Sequence, residues 1–325
     1  MNNRYRFLIQ VAGSLACFWW LFRIVSPDQL VSSLKSASLS LVALVTLIMV
    51  PAVLARAWRW YYLLIRRGIP VSLASITNAT FIGMALNLFL PASAGDVVRS
   101  YYGWQQYGHK EAMLATSLSD KVVALFSLFL LGTIGGFISG DTRLAILAGA
   151  MTVPTGIVLV VPVRGLWKFL AVLAKKMLKR DLDAELLMRS FHMSIPTFFG
   201  ALVISILGWL VTNLMYYFAV LAVGAHISMG YTFAIAPLIN IVRMLPISIS
   251  GLGSADALMV ELLQGVGIGK HLTLAASMIV NLTLIVLPGA VGAVLMLLNV
   301  RTLKKATAQP CNTVLEGDAT NAGGK

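Results

Sequence analysis

Charged residues are scarce in this chain, and that scarcity excludes a soluble globular domain. Only 11% of the 325 residues are Asp, Glu, Lys or Arg, whereas 58% are hydrophobic and the mean hydropathy is +0.86. Soluble domains carry roughly 25% charged residues. The apolar residues form long unbroken runs, unlike the alternating segments of about 10 residues in a transmembrane barrel. The composition therefore predicts an all-α polytopic membrane protein.

Residue types that serve metal, redox and nucleotide chemistry are also rare. The two cysteines, Cys17 and Cys311, have no metal-ligand spacing and indicate no disulfide framework. The four histidines are scattered through predicted loops. No P-loop, GxSxG or HExxH motif occurs in the sequence. We therefore expect no metal ion, no cofactor and no ATP-driven pump.

Acidic residues number only 12 against 25 basic ones, which gives a formal net charge of +13. The basic residues cluster between the hydrophobic runs, at residues 56–67, 164–189 and 301–305. Such clusters mark the cytoplasmic side of a membrane and contact anionic lipid headgroups. We therefore expect both termini to be cytoplasmic, and we expect no binding of nucleic acid.

Six hydrophobic runs approach or exceed the roughly 20 residues that cross a bilayer. We predict transmembrane helices at residues 7–25, 39–55, 112–137, 144–163, 195–223 and 272–298. The first run is too long and bulky for a cleaved signal peptide and is predicted to be retained. Residues 1–305 would form one transmembrane domain, with an amphipathic basic helix at 164–192 and a disordered cytoplasmic tail at 306–325.

Two further hydrophobic runs are interrupted by residues that are costly in hydrocarbon. The first reads LNLFLPASAGDVVRSY (86–101) and the second reads MLPISISGLGSADAL (244–258). If every basic cluster is cytoplasmic, each interrupted region starts and ends on the same side of the membrane. Their apolar arms are too short to cross, since crossing takes about 20 residues. We therefore predict two re-entrant helical hairpins, entered from opposite faces, rather than pairs of spans.

The two interruptions indicate an internal repeat. Pro91 and Pro246 lie 155 residues apart, each in a Leu-Pro-x-Ser motif that glycine and aspartate follow. Each half, about 1–140 and 141–305, would hold three spans and one hairpin, and the odd span count would invert the second half. Inverted repeats whose broken helices meet at the midplane are typical of transporters.

The broken stretches carry groups that suit an anion. Ser93 and Asp96 have the spacing of a capping box, which would start a helix inside the membrane and direct its N–H groups at an anion. Ser250 and its neighbours could direct a second helix N-terminus to the same centre, where Arg99 and Arg243 would add positive charge. The candidate substrate-binding residues are Asn87, Ser93, Gly95, Asp96, Arg99, Asp120, Lys121, Arg243, Ser248, Ser250, Gly251, Gly253 and Asp256.

Structural interpretations of the same residues compete with this one. The serines and asparagines could simply satisfy broken backbone, and Asp96 and Arg99 could form a structural i, i+3 pair. Asp120 and Lys121 point about 100° apart on a helix, so each needs a partner elsewhere or reaches the membrane interface. The arginines of the 56–67 cluster are interpreted as topology anchors rather than as ligands.

At these motifs the sequence resembles the lysylphosphatidylglycerol synthase transmembrane-region family of flippase-like membrane proteins. The resemblance rests on the segments NLFLPASAGDVVRSY, SDKVVALFSL and LPISISGLGSADALMVELL. The family's first motif, in the order proline, glycine, acid and arginine, falls on Pro91, Gly95, Asp96 and Arg99.

Two family positions carry different residues in this chain. The family's acid-arginine pair falls on Asp120 and Lys121, and the glutamate of its second motif falls on Asp256. Lysine cannot make the bidentate phosphate contact of arginine. The aminoacyl-transferring domain of the family's two-domain members is not found in the sequence, so we expect no synthase activity and no enzyme.

The resemblance implies a lipid translocase of a bacterial or archaeal inner membrane. It would move an anionic phospholipid or a polyprenyl-phosphate-linked lipid between leaflets, either passively or coupled to protons through Asp96, Asp120 or Asp256. One alternative is a membrane-embedded enzyme with a lipid-linked substrate, which the acid-poor outer loops disfavour. Another is a non-catalytic partner of envelope-biosynthesis proteins, with residues 164–189 as its docking site.

Overall fold

A computed structural model describes residues 3–88, 95–160, 191, 193–244 and 248–308. Outside the described residues lie Pro91, Ser93, Pro246, nearly all of the amphipathic helix predicted at 164–192, and the tail beyond residue 308. The last described helix ends at Ala308, so the first three residues of the predicted tail are helical instead of disordered.

The described parts of the chain are helical and contain no strand. In chain order the helices are α1 (Asn3–Ile24), α2 (Pro27–Lys35), α3 (Leu39–Ile65), α4 (Leu73–Asn87), α5 (Gly95–Tyr107), α6 (Lys110–Ser139), α7 (Thr142–Val160), α8 (Ile195–Ala222), α9 (Met229–Met244), α10 (Ser254–Gln264), α11 (Lys270–Asn281) and α12 (Leu287–Ala308). A 3-10 turn (Ile249–Gly251) precedes α10, and a π-helical turn (Leu282–Val286) joins α11 to α12.

Five described helices are long and apolar enough to cross a membrane, which confirms an all-α polytopic membrane protein. They are Leu39–Ile65, Lys110–Ser139, Thr142–Leu159, Ile195–Ala222 and Lys270–Leu298. The first predicted span falls on α1, whose described apolar part, Val11–Ile24, is shorter. The count of six spans therefore stays a prediction.

Helix α3 is ten residues longer than the span predicted at 39–55. The prediction ended the span before Arg56 because arginine is costly in hydrocarbon. In the structure α3 continues to Ile65, since Arg56 and Arg59 each reach a carboxylate of a neighbouring helix. A paired charge can stay within a helix bundle where an unpaired one cannot.

Both interrupted runs break as predicted. Helix α4 ends at Asn87 and α5 begins at Gly95, whereas α9 ends at Met244 and α10 begins at Ser254. These four helices have 15, 13, 16 and 11 residues, fewer than the roughly 20 that cross a bilayer. Their lengths are those that re-entrant hairpins require, while the faces from which they enter stay a prediction.

The helix order of α3 to α6 recurs in α8 to α12. Corresponding helices start 156 to 160 residues apart. The packing recurs too, because α4 packs against α12 in the other half, α9 packs against α6 in the other half, and α3 packs against α8. An internal repeat predicts this exchange of partners, and the inverted orientation of the halves stays a prediction.

Glycines let these helices approach closely at corresponding positions. A Cβ on Gly292 of α12 would overlap the carbonyl oxygen of Phe81 in α4. A Cβ on Gly135 of α6 would lie 2.7 Å from the carbonyl oxygen of Gly230 and 2.8 Å from the Ala234 nitrogen in α9. Small residues at helix crossings are the usual means of close packing in membranes.

Candidate anion site between the broken helices

A cavity of about 280 Å³ lies between the two halves, where the broken helices come together. Helices α3, α5, α6 and α9 supply its charged side chains. Helices α4 and α8, the 3-10 turn and the π-helical turn also line it. Seven of the predicted site residues line it: Asn87, Asp96, Asp120, Lys121, Arg243, Ser248 and Ser250. The fold therefore brings residues from both sequence motifs to one place.

Asp96, in the first turn of α5, is held mainly by helices other than its own. Its Oδ1 accepts a hydrogen bond from Nη2 of Arg56 at 2.7 Å, and its Oδ2 accepts one from Nζ of Lys121 at 2.8 Å. The i, i+3 partner Arg99 is farther, with its Nε 4.0 Å from Oδ1. The pair predicted within α5 is thus the weakest of three contacts, and Asp96 ties α5 to α3 and α6.

Asp120 lies between two arginines in the buried part of the site, and only 2% of it is exposed. Arg59 Nε and Arg99 Nη2 each contact one of its oxygens at 2.6 Å. Arg59 also donates to Ser205 Oγ at 2.8 Å, which connects α8 to the network. Asp120 and Lys121 therefore do meet separate partners, as their angular separation on the helix required.

Arg99 lies behind the cavity wall rather than on it. It is 1% exposed, and its guanidinium lies 4.5 Å from the ring centre of Trp60. Such a cation–π contact, together with the Asp120 carboxylate, holds the side chain in place. Direct contact of Arg99 with a ligand, which the sequence suggested, stays a prediction that this position does not favour.

Arg243 and Asp256 belong to a second polar group, in the other half of the molecule. Arg243 Nη2 donates to Asn281 Oδ1 at 2.8 Å, and Asn281 Nδ2 donates to Asp256 Oδ1 at 2.7 Å. Ser277 and the Gly253 N–H also donate to Asp256. Nε and Nη1 of Arg243 are buried and have no hydrogen-bond partner among the described residues.

The two broken stretches contact each other directly. Ser250 Oγ donates to the carbonyl oxygen of Asn87 at 2.6 Å, and the Asn87 side chain accepts the Gly95 N–H at 2.8 Å. The N–H of Gly253 is bound by Asp256 in the same way. One N–H group at the start of each of α5 and α10, that of Gly95 and that of Gly253, therefore already has a side-chain acceptor.

Among the described residues that line the cavity, positive charge exceeds negative charge by two. The basic side chains on the wall are Arg56, Arg59, Lys121 and Arg243, and the acidic ones are Asp96 and Asp120. Arg99 and Asp256 do not line the cavity, and each is in contact with a residue that neighbours the wall or lies on it. The sequence interpretation missed Arg56 and Arg59 as site residues. Their i, i+3 spacing on an apolar helix was the available signal, since it places both on one face.

The predicted glycines Gly95, Gly251 and Gly253 do not line the cavity. Gly251 and Gly253 have φ of 77° and 89°, which glycine adopts readily, and Ser250 has φ of 51°. A Cβ on Gly95 would lie 2.6 Å from Asn87 Oδ1. These glycines shape the breaks rather than presenting groups to a ligand. No group of metal-binding side chains occurs in the parts of the chain that the structure describes.

Comparison with known families identifies the family of this chain. The family model of the lysylphosphatidylglycerol synthase TM region matches residues 7–292. The chain belongs to this family. No curated protein matches its sequence. The matched range includes both broken stretches and all the residues that line the cavity. Membership in the lysylphosphatidylglycerol synthase TM-region family indicates a membrane protein of lipid or envelope biosynthesis.

Ser250 offers a test of the contact between the halves in this family member. Ser250→Ala removes the hydrogen bond to Asn87 and should lower the free energy of unfolding by about 1 kcal/mol. Ser250→Gly removes the same bond but relieves the left-handed backbone, which should recover about 1 kcal/mol. In thermal unfolding in detergent, Ser250→Ala should therefore have a lower midpoint temperature than Ser250→Gly. Equal midpoints for Ala and wild type would contradict this contact.

Proposed function

We propose that the chain is a lipid translocase that moves an anionic lipid, either a phospholipid or a polyprenyl-phosphate-linked lipid, between leaflets. One observation carries the proposal: a cavity among the helices of this membrane protein has an excess of two positive charges on its wall beside an apolar surface. Charged side chains within membranes are costly, and they usually mark pathways for substrates or ions.

The charge excess supports an anionic headgroup. Arg56 and Lys121 each contact Asp96, yet together they carry one charge more than it does. Arg243 contacts the amide of Asn281, which has no charge to offset it. A phosphate group would complete the hydrogen bonds of these side chains and neutralise them in a medium where unpaired charge is unfavourable.

The apolar wall supports a lipid as the source of that anion. Ala52, Val53, Leu125, Leu128 and Leu284 line the same cavity as the basic residues. Binding pockets that enclose a drug-sized ligand have volumes of about 300–1,000 Å³. At about 280 Å³ the cavity suits a headgroup, so the acyl or prenyl chains would stay in the bilayer.

The proposed translocase is not an enzyme, and it needs no ATP. Asp96 and Asp120 are each in contact with two or more basic side chains, so a proton on either would release positive charge for the ligand. The neighbouring cations favour the charged form of both carboxylates, so a proton would reach Asp96 or Asp120 only when those cations contact the ligand instead. Proton coupling through these residues is therefore the alternative to passive movement. Asp256, which contacts only neutral donors, is the third candidate.

Movement of labelled headgroups in reconstituted vesicles tests the proposal. Lys121→Gln and Arg243→Gln should each slow movement of an anionic lipid by about tenfold, because each removes a charge-assisted hydrogen bond to the headgroup. Arg143→Gln is the matched control, since Arg143 is exposed at the start of α7 and does not line the cavity. If no lipid moves with the wild-type protein, the translocase proposal fails.

A further inference from the structure

The charged side chains around the cavity divide into three groups, and two of these groups have an excess of one positive charge. Arg56 and Lys121 share Asp96. Arg59 and Arg99 share Asp120.

Arg243 belongs to the third group, in which Asn281 links it to the carboxylate of Asp256. A ligand with one negative charge would offset only one of the two excess charges.

The distribution of donors also calls for a ligand with many acceptors. Arg56 and Lys121 belong to the first half of the molecule, whereas Arg243 belongs to the second half. Two of the nitrogens of Arg243 are buried without a partner in the described structure. A ligand that satisfies both sides needs oxygens that face both halves.

We propose that the cavity selects a phosphate monoester or diphosphate group, with two or more negative charges, over a phosphodiester with one. The inference rests on the proposed function and narrows its substrate class. A monoester has three terminal oxygens, and a diphosphate has more, so that either can accept from both halves at once. Headgroups with added ammonium groups would be repelled by the same charges.

Binding to the purified full-length protein in detergent tests the selection. The probes are inorganic pyrophosphate, glycerol 1-phosphate as a monoester and glycerophosphoglycerol as a diester, all at one ionic strength. We expect pyrophosphate to bind at least about tenfold more tightly than the diester, a ratio that added salt lowers. Equal affinities for pyrophosphate and the diester would overturn the inference.

Variants locate the selection in the cavity. Arg243→Gln should reduce the preference for pyrophosphate over the diester to about threefold or less. Arg243→Lys, which keeps the charge, should retain more of that preference. Arg143→Gln should keep the full preference. Thermal midpoints show whether each variant is folded. A folded Arg243→Gln protein with the wild-type preference would place the selection elsewhere and overturn the assignment to this cavity.

Lipid probes separate the two possible sources of the anion. A polyprenyl diphosphate in micelles should bind more tightly than pyrophosphate if the natural ligand is a lipid, because the apolar wall then contributes. Equal binding would assign the site to a soluble phosphate and retain the charge selection.

Vesicle assays separate the inference from the proposed function. Phosphatidic acid should move faster than phosphatidylglycerol, and lysylphosphatidylglycerol, whose headgroup is net positive, should move slowest. If all three move at one rate, the translocase stands and the charge selection fails. If none moves although pyrophosphate is preferred in binding, the selection stands and the translocase fails.

Discussion

Asp120→Asn is expected to lower the free energy of unfolding by about 3–5 kcal/mol, the range for breaking a buried ion pair from one side. Asp120 is the carboxylate between Arg59 and Arg99, at 2.6 Å from each. Asparagine would leave both guanidinium groups without their common counter-charge in the interior of the bundle. Denaturant and thermal unfolding of the detergent-solubilised protein measure the change.

Two further variants make that prediction specific to the buried charge. Asp28→Asn is the matched control, because Asp28 is exposed in the first turn of α2, and its loss should cost no more than about 1 kcal/mol. Adding Arg59→Met to Asp120→Asn removes one uncompensated cation and should recover part of the stability. A midpoint for Asp120→Asn within the range of Asp28→Asn would show that Asp120 does not hold the two arginines in place.

Gly292→Ala is expected to destabilise the protein by about 1–3 kcal/mol, the usual range for overpacking. The added methyl would overlap the Phe81 carbonyl oxygen in α4. Backbone cannot turn aside as a flexible side chain does, so α12 and α4 must separate. The crossing joins the two halves of the molecule, and the loss should appear both in the thermal midpoint and in lipid movement.

Gly149→Ala in α7 is the matched control for that substitution. A Cβ at Gly149 would lie 3.7 Å from Thr133, an ordinary contact distance. Alanine is favoured over glycine in a helix interior by about 1 kcal/mol, so this variant should be as stable as the wild type or slightly more so. Equal effects of the two substitutions would show that the α4–α12 crossing does not depend on Gly292.

Much of the fold could be predicted because hydropathy and helix breakers act locally. The long apolar runs at 112–137 and 195–223 match α6 and α8, with boundaries that differ by at most two residues. Helices α4 and α9 end at Asn87 and Met244, just before the predicted interruptions, as expected where proline and glycine disfavour a continuing helix. The exception was the end of α3, where a distant carboxylate reversed the local cost of an arginine.

The site could be predicted only in part, because its chemistry depends on distant partners. Asp96 and Lys121 are in contact although 25 positions separate them in the sequence, and Arg59 contacts Asp120 although 61 positions separate them. Charge within an apolar run identified the carboxylates as candidates. The i, i+3 spacing of Arg56 and Arg59 placed both on one helix face, but it did not show which residues of other helices that face would contact.

The sequence by itself determined the membrane class, the two broken stretches and the family, because each depends on composition or on short motifs. Only the tertiary structure decided that the two stretches are in contact, through Ser250 and Asn87. It also decided that Arg56 and Arg59 form ion pairs with the carboxylates of the site. It also decided that Arg99 lies behind the cavity rather than on its wall. The physical reason is that ion pairs form at about 3 Å between helices, and only the packing of those helices sets such distances.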